Sequence, residues 1–192
     1  RLATEACIAR SAMTVNSETG KRDESPTHVS EPLFSEIVAA VDGRRTSEFH
    51  GQQRVVIDAN RVYDALAVLR DRYGFDMLAD ITCVDYLNYR DAADRFGLVY
   101  CLTNTKQNKR LMIRCFVNDP NPAVRSVVAL YQTADWLERE LWDMFGIRFE
   151  GHPDLRRILL PEEFTAHPLR KDYPLQGRGE RHNFPVITRE SG

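Results

Sequence analysis

Residues 134–146 hold the densest group of side chains that could carry out acid–base chemistry, namely Asp135, Glu138, Glu140 and Asp143. A glycosidase-type carboxylate pair must flank one bond. Glu138 and Glu140 are two residues apart, so on a helix they point about 200° away from each other. A di-iron site would need Glu-x-x-His repeats on facing helices, and the sequence has none. The pattern favours a solvated, salt-bridged face or a polar contact with another protein over catalysis.

Basic and histidine residues follow this stretch. His152 and His167 are isolated in sequence and no third ligand accompanies them, which argues against a metal site. The pairs 156–157 and 170–171 (Arg-Arg and Arg-Lys) could bind phosphate, but no glycine-rich loop leads into a helix to cradle a nucleotide. We expect a charged segment that docks on a partner, because the planar fork of arginine pairs well with carboxylates and backbone carbonyls.

The four cysteines are Cys7, Cys83, Cys101 and Cys115. Their spacing contains no C-x-x-C pair, so zinc and iron–sulfur ligation lack their usual pattern. Cys83, Cys101 and Cys115 each fall in an apolar, strand-like run. We interpret them as small buried side chains, with a redox or ligand role as the alternative.

Composition excludes several classes of protein. The 192 residues include 26 Lys and Arg against 28 Asp and Glu, a near balance that argues against bulk nucleic-acid binding. No stretch approaches the roughly 20 consecutive apolar residues of a spanning helix, so we expect membrane contact to occur through partner proteins alone. The polar residues 1–29 lack the apolar core of a secretory signal and contain acids that a mitochondrial presequence avoids. They are predicted to be a disordered tail.

The elements that must position the charged residues begin near Ser30. Residues 33–41 have helical spacing, with Pro32 suited to a first turn and Gly43 to the stop. Residues 54–58 are predicted to form a short strand. Asn60 is then expected to cap a second helix that ends at Gly74.

Three longer strands are predicted from apolar residues that alternate with polar or smaller ones, at 75–83, 96–102 and 111–117. Period-two patterning with one polar face is typical of an antiparallel sheet covered by helices on one side. The fold class predicted is α+β, with an antiparallel or mixed sheet of about four strands.

The helix at 134–146 is predicted to start with Asp135 as N-cap and Glu138 in a capping box, and to end at Gly146. Leu137, Leu141, Met144 and Phe145 form the face that packs on the sheet. Asp135, Arg139 and Asp143 are expected to form an acid–base–acid line on the opposite, solvated side. Trp136 and Trp142 lie off the main apolar face, as a second packing surface or partner anchors would.

Prolines recur after residue 146 and apolar periodicity disappears. We therefore predict three parts, namely the tail 1–29, an α+β domain at 30–146, and an extended partner-binding arm and tail at 147–192. Charge reversal at Arg156 and Arg157 is expected to impair assembly more than it impairs the stability of the domain.

The order and spacing of thirteen residues resemble the signature of the 30-kDa subunit family of complex I, the NADH:quinone oxidoreductase. They are Glu138, Arg139, Glu140, Asp143, Gly146, His152, Arg156, Arg157, His167, Arg170, Lys171, Asp172 and Tyr173. A weaker likeness runs through residues 80–86 (DITCVDY), and the whole covers about residues 32–175.

The resemblance implies a component of the peripheral arm that carries no catalytic, cofactor-binding or metal site of its own. FMN, the iron–sulfur clusters and quinone would then be held by partner subunits. The partners expected are the quinone-site subunit and the iron–sulfur subunits, with no nucleic acid. The location implied is the cytoplasmic face of the bacterial inner membrane, or alternatively the matrix side in mitochondria. The alternative function is that of the equivalent component of a membrane-bound hydrogenase or a photosynthetic NDH complex.

Overall fold

The computed structural model describes residues 28–179. The cysteine at position 7, residues 1–27 of the tail predicted over 1–29, and residues 180–192 of the predicted arm and tail lie outside the described part. The elements, in chain order, are α1 (Glu31–Ala40), β1 (Arg45–Phe49), β2 (Gln52–Val56), a 3-10 turn (Ala59–Arg61), α2 (Val62–Tyr73), β3 (Met77–Asp85), β4 (Phe96–Asn104), β5 (Lys109–Val117), β6 (Ala123–Arg125), α3 (Ala134–Phe145) and β7 (Arg148–Glu150).

The main sheet has five strands in the order β1-β2-β5-β4-β3. All neighbours are antiparallel except β2 and β5, which are parallel, so the sheet is mixed. The predicted α+β class is confirmed, and the three long strands lie where the alternation placed them. Strand β1 was not predicted because all five of its residues are exposed and it has no apolar alternation.

The alternation of the long strands gives the sheet two different faces. In β4 and β5 the core-facing residues, such as Leu98, Tyr100 and Ile113, are fully buried, whereas most of their neighbours in sequence are half-buried. The core continues into α2 through Leu66 and Leu69 and into α3 through Leu141. The helices therefore cover the apolar face of the sheet, as the pattern predicted.

Helix ends follow the sequence in part. Pro32 lies in the first turn of α1, and Gly74 and Gly146 end α2 and α3 in the left-handed conformation that glycine adopts without strain. The predicted side-chain cap at Asn60 is wrong, because Asn60 lies inside the 3-10 turn and α2 starts at Val62 with no side-chain cap.

The N-terminal end of α3 also differs from the prediction. Thr133 occupies the N-cap position, without a side-chain cap bond, and Asp135 lies inside the first turn of the helix. The capping box is therefore wrong. Glu138 turns inward to the backbone of Val127 instead of back toward the start of its own helix.

Residues on both sides of the predicted domain contribute to its core. Val29 is buried, and the side chain of Gln53 bonds both its N–H and its carbonyl. Ile147 and Phe149 are buried, and β7 pairs in parallel with β6. The packed unit thus runs past Gly146. In the described range of residues, no helix is both long and apolar enough to cross a bilayer.

Candidate functional site

Asp143 lies at the centre of the signature residues and is fully buried. Its Oδ2 accepts hydrogen bonds from the backbone N–H groups of Ile158, Leu159 and Leu160, at 3.1, 2.9 and 3.0 Å. Its Oδ1 accepts from Nη1 of Arg157 at 2.5 Å. Burial by itself raises the pKa of Asp143, but these donors outweigh burial and hold the pKa below its usual value. Asp143 is thus a charged anchor for the chain that follows α3.

The guanidinium of Arg157 is held on several sides, and its side chain is only 9% exposed. Besides Asp143, it donates to the carbonyl of Ala166 at 3.2 Å. Its central carbon lies 5.5 Å from the Trp142 ring centre and 5.9 Å from the Phe164 ring centre. A planar cation between aromatic rings uses the fork and the stacking surface that distinguish arginine from lysine.

The C-terminal end of α3 is capped by residues from the same following segment. The ring of His167 lies with Nδ1 3.0 Å from the carbonyl of Asp143, which assigns the donating N–H to Nδ1. The N–H of Leu169 donates to the carbonyl of Met144, and Nη1 of Arg170 donates to that of Phe145. The last carbonyls of a helix lack partners within the helix, so these donors satisfy them. The cation of Arg170 also lies at the negative end of the helix dipole.

Gly146 is required here for two reasons. Its φ is +76°, and a Cβ at this position would lie 2.7 Å from Cδ2 of His167. Any other residue would be strained in the backbone and would displace the histidine from the helix end.

A second cluster ties the segment to the sheet. Arg95 and Arg170 face three carboxylates, those of Asp85, Asp119 and Asp172. Nη2 of Arg95 lies 3.3 Å from Oδ2 of Asp85 and 2.9 Å from Oδ2 of Asp172, while its Nη1 bonds Asp119. Nη2 of Arg170 lies 2.8 Å from both oxygens of Asp119.

Asp85 is the buried member of this cluster and receives two backbone N–H groups. They come from Leu87 at 3.0 Å and from Lys171 at 2.8 Å, so Lys171 contributes its main chain. Burial raises the pKa of Asp85, and these donors together with Arg95 lower it to a net value below normal. Sequence reasoning missed Arg95 and Asp119. Only the DITCVDY likeness, which contains Asp85, indicated that this end of β3 mattered.

The three charged residues at the middle of α3 have separate surroundings. Glu138 is buried, and its Oε1 accepts from the N–H of Val127 at 2.7 Å. Burial raises the pKa of Glu138 to about 7. Arg139 donates to the carbonyls of Arg156 and Arg157, both at 3.3 Å. Glu140 is exposed.

The predicted acid–base–acid line along α3 is therefore wrong. Asp143 is on the buried side and pairs with Arg157, whereas Arg139 bonds backbone carbonyls. Asp135 lies beside His152, whose Nε2 is 3.3 Å from the Asp135 carbonyl. The Nδ1 of His152 accepts from the backbone N–H of Asp154, so Nε2 carries the proton. Each of these three helix residues contacts the segment that follows α3.

The two remaining signature side chains differ in burial. Arg156 is 66% exposed and pairs with Asp154 at 3.0 Å, in contrast to its buried neighbour Arg157. Tyr173 packs its ring 6.1 Å from that of Phe164. Taken together, most of the signature residues fasten the segment 152–173 to α3 and to the end of β3, whereas Glu138, Glu140 and Arg156 do not. All of these contacts are internal to the chain, so docking by this segment stays a prediction.

Groups that could hold a cofactor or metal lie elsewhere. Cys83 and Cys115 are free and buried, and burial raises the pKa of each thiol to about 12, so both are protonated at neutral pH. Within the described residues, one group of three potential metal ligands occurs, formed by His28, Glu31 and Glu48. Nε2 of His28 lies 3.3 Å from Oε2 of Glu48, the distance of an ordinary ion pair near the surface.

Comparison with known proteins shows the family to which this chain belongs. The family described as "Respiratory-chain NADH dehydrogenase, 30 Kd subunit" matches residues 55–179, which include the whole signature. An NADH-quinone oxidoreductase subunit of Trichlorobacter lovleyi is 48% identical over 129 residues, which are 67% of this chain and 78% of that protein. The corresponding protein of Burkholderia mallei is 41% identical over 167 residues, 83% of this chain and 84% of that protein.

Two solved structures share the fold. A trypsin-resistant fragment of Nqo5 has a TM-score of 0.59 and 36% identity, and the match covers 65% of this chain and 98% of the fragment. A protein of the membrane-bound sulfane sulfur reductase, an archaeal respiratory membrane complex, has a TM-score of 0.67 over 83% of this chain and 93% of its own length. At 21% identity, the second likeness concerns the fold alone.

Proposed function

The chain belongs to the respiratory-chain NADH dehydrogenase 30 Kd subunit family, and we propose that it is a non-catalytic component of the peripheral arm of a proton-translocating NADH:quinone oxidoreductase. The observation that carries the proposal is the continuous similarity to an NADH-quinone oxidoreductase subunit across 83% of the chain. The enzyme is the complex, and this chain contributes structure to it.

The geometry of the signature supports a structural role. Its buried charged side chains are engaged in internal contacts, since Asp143 accepts from three backbone N–H groups and from Arg157, and Arg170 pairs with Asp119. A carboxylate with its acceptor sites occupied and a depressed pKa is a poor general base. Electron transfer among cofactors in neighbouring subunits needs fixed separations, and a rigid chain with buried ion pairs can supply them.

The partners proposed are the quinone-site subunit and the iron–sulfur subunits of the arm, which would hold the FMN, clusters and quinone. The chain would then be peripheral, attached to the cytoplasmic face of a bacterial inner membrane through these partners. The mitochondrial matrix side is the corresponding place in an organelle.

The test is purification of the tagged full chain from membranes solubilised in mild detergent, with mass spectrometry and NADH–quinone reductase assays of the eluate. We expect the quinone-site subunit, the iron–sulfur subunits and the flavoprotein to be recovered together, with reductase activity, and no turnover by the chain alone. Recovery with a nickel-binding hydrogenase core would assign the chain to that sister complex instead. Intrinsic turnover of the isolated chain would refute the non-catalytic role.

A further inference from the structure

The face of the five-stranded sheet that points away from the core carries several arginines. Residues directly opposite each other on paired strands share a face, and the register pairs Arg45 with Val56 and Val56 with Arg114. Arg54 and Arg110 share that side, two and four residues from Val56 and Arg114 along their strands. We call this the arginine face, defined by Arg45, Arg54, Arg110 and Arg114.

Few acids balance these charges. On the strand residues of the same face, the acid is Asp80, which stands on β3 opposite Cys101 of β4. Four arginines against one aspartate leave this face with a positive excess, on a chain whose total charge is −2. Among residues 28–179, none of the four arginines is within 4.0 Å of a carboxylate, although nine other arginines are.

Arg54 and Arg114 each have a side-chain donor that makes no hydrogen bond with the described residues. The Nε atoms of Arg54 and Arg114 are both buried and have no hydrogen-bond acceptor in the described part of the chain. Burial, and then the charge of Arg54, lower the pKa of Arg114. Like charges side by side with unpaired donors are unfavourable, and a bound anion would remove both penalties.

Aromatic rings surround the same two guanidinium groups. The central carbon of Arg114 lies 5.2 Å from the Tyr86 ring centre and 5.0 Å from that of Phe116. That of Arg54 lies 5.6 Å from the ring centre of Phe49, which is 60% exposed. Gly97 makes room for this stack, because a Cβ there would lie 2.9 Å from Cε2 of Tyr86. Arginine and exposed aromatic residues together are typical of the central residues of protein interfaces.

We propose that the arginine face docks an acidic segment of a neighbouring protein in the complex, with a carboxylate seated between Arg54 and Arg114. The inference rests on the proposed function, which supplies the neighbouring proteins, and it names a surface distinct from the signature residues. A protein segment fits better than a lipid surface, because the guanidinium groups of Arg54 and Arg114 are half-buried beside aromatic rings. A side chain inserted from a partner can reach these half-buried guanidinium groups, whereas a bilayer surface is contacted by cationic side chains that extend into solvent.

The first experiment reverses the charges in the full tagged chain, expressed in a host that lacks its own copy. For Arg54→Glu with Arg114→Glu, we expect at least a tenfold fall in partner subunits recovered per chain. The urea midpoint of the purified variant should fall only slightly, because neither arginine has an internal ion pair to lose and the contacts removed are those with the aromatic rings. Arg61→Glu is the control, since Arg61 is 48% exposed and lies in the 3-10 turn outside the sheet, and recovery should be normal.

The second experiment looks for the carboxylate itself. Arg114→Lys keeps the charge and adds a primary amine that a carbodiimide can link to a nearby carboxylate. We expect mass spectrometry to find a cross-link from position 114 to an Asp or Glu of another protein of the complex. The control Arg61→Lys should give no cross-link to another protein, although it can link to its neighbour Asp42 within the chain.

Normal recovery of partner subunits by the double reversal, or a complex without that cross-link, would overturn the inference. The inference would also be overturned if the double variant kept its partner subunits but no longer bound RNA or vesicles containing anionic phosphatidylglycerol. Failure of the proposed function is a different result, because the wild-type chain would then recover no NADH-oxidising subunits. The cross-link would still report whether an acidic segment of another protein occupies the face.

Discussion

Two adjacent arginines provide the sharpest test of the signature's role. Arg156 and Arg157 have the same chemistry and neighbouring places in the sequence, but the first side chain is 66% exposed and the second 9%. Both were expected from sequence to act in assembly. The structure instead assigns Arg157 to the fold, so Arg157→Ala should destabilise the chain itself and Arg156→Ala should not.

The magnitude follows from what each substitution leaves behind. Removing one member of a buried ion pair costs roughly 3–5 kcal/mol, mainly because the other charge stays buried. Asp143 would keep its three backbone donors, so we expect about 3 kcal/mol for Arg157→Ala. At about 2–4 °C per kcal/mol for a chain of this size, Tm should fall by roughly 6–12 °C. Arg156→Ala breaks an exposed pair worth at most about 1 kcal/mol.

The assay is urea unfolding of the purified full chain, followed by far-ultraviolet circular dichroism and tryptophan fluorescence. The Trp142 ring centre lies 5.5 Å from the Arg157 guanidinium, so its emission reports the site directly. Arg157→Lys should be intermediate, because lysine keeps the charge but cannot span Asp143 and Ala166 together. Equal stability of the two alanine variants, both close to wild type, would refute the argument that Arg157 anchors the fold.

Three further outcomes are expected. Burial raises the pKa of Glu138 from 4.5 to about 7, so the folded state binds its proton more tightly than the unfolded state does. The contribution of Glu138 to the free energy of unfolding should therefore be full below pH 4.5. It should decline by about 3 kcal/mol as pH rises through 7. Subtracting the urea-derived stability of Glu138→Gln from that of wild type across the pH range that brackets these two values should reveal this decline, and a flat difference would contradict it. Gly151→Ala should lower the free energy of unfolding by about 1–2 kcal/mol because of its left-handed backbone. Gly146→Ala should lower it further, because a methyl group there would meet His167 whereas one at Gly151 would meet nothing within 4 Å. Equal urea midpoints of the two variants would argue against the His167 contact. Arg170→Ala should speed hydrogen exchange of residues 167–173 at least tenfold while β4 is unaffected, as mass spectrometry of peptides can measure; uniform exchange across the chain would count against local fastening.

Much of the fold could be predicted because its elements follow local rules. Period-two alternation located β3, β4 and β5, and glycine at the ends of α2 and α3 located their stops. Strand β1 was not predicted from the sequence, because an exposed edge strand needs no apolar alternation. The parallel pairing of β2 with β5 was also not predicted, because the order of strands depends on how the chain connects through α2 and not on any one strand's pattern.

The candidate site divides in the same way. Types and spacing of the residues sufficed to single out the signature from Glu138 to Tyr173, and helix geometry correctly separated Glu138 from Glu140. Helical spacing alone wrongly put Asp143 on a solvated face. Periodicity gives the directions of side chains around one helix, but it does not indicate that a later segment of the chain covers one of those sides.

Family, fold class, most strands and the order of the signature residues were thus determined by the sequence by itself. The tertiary structure decided what those residues do, since the carboxylate of Asp143 is defined by donors up to 17 residues away and that of Asp85 by an N–H 86 residues away. It also decided that four arginines from three strands share one face. The physical reason is that a buried charge is stable only with partners in place, and those partners are brought together by strand order and chain reversal, which local sequence patterns do not encode.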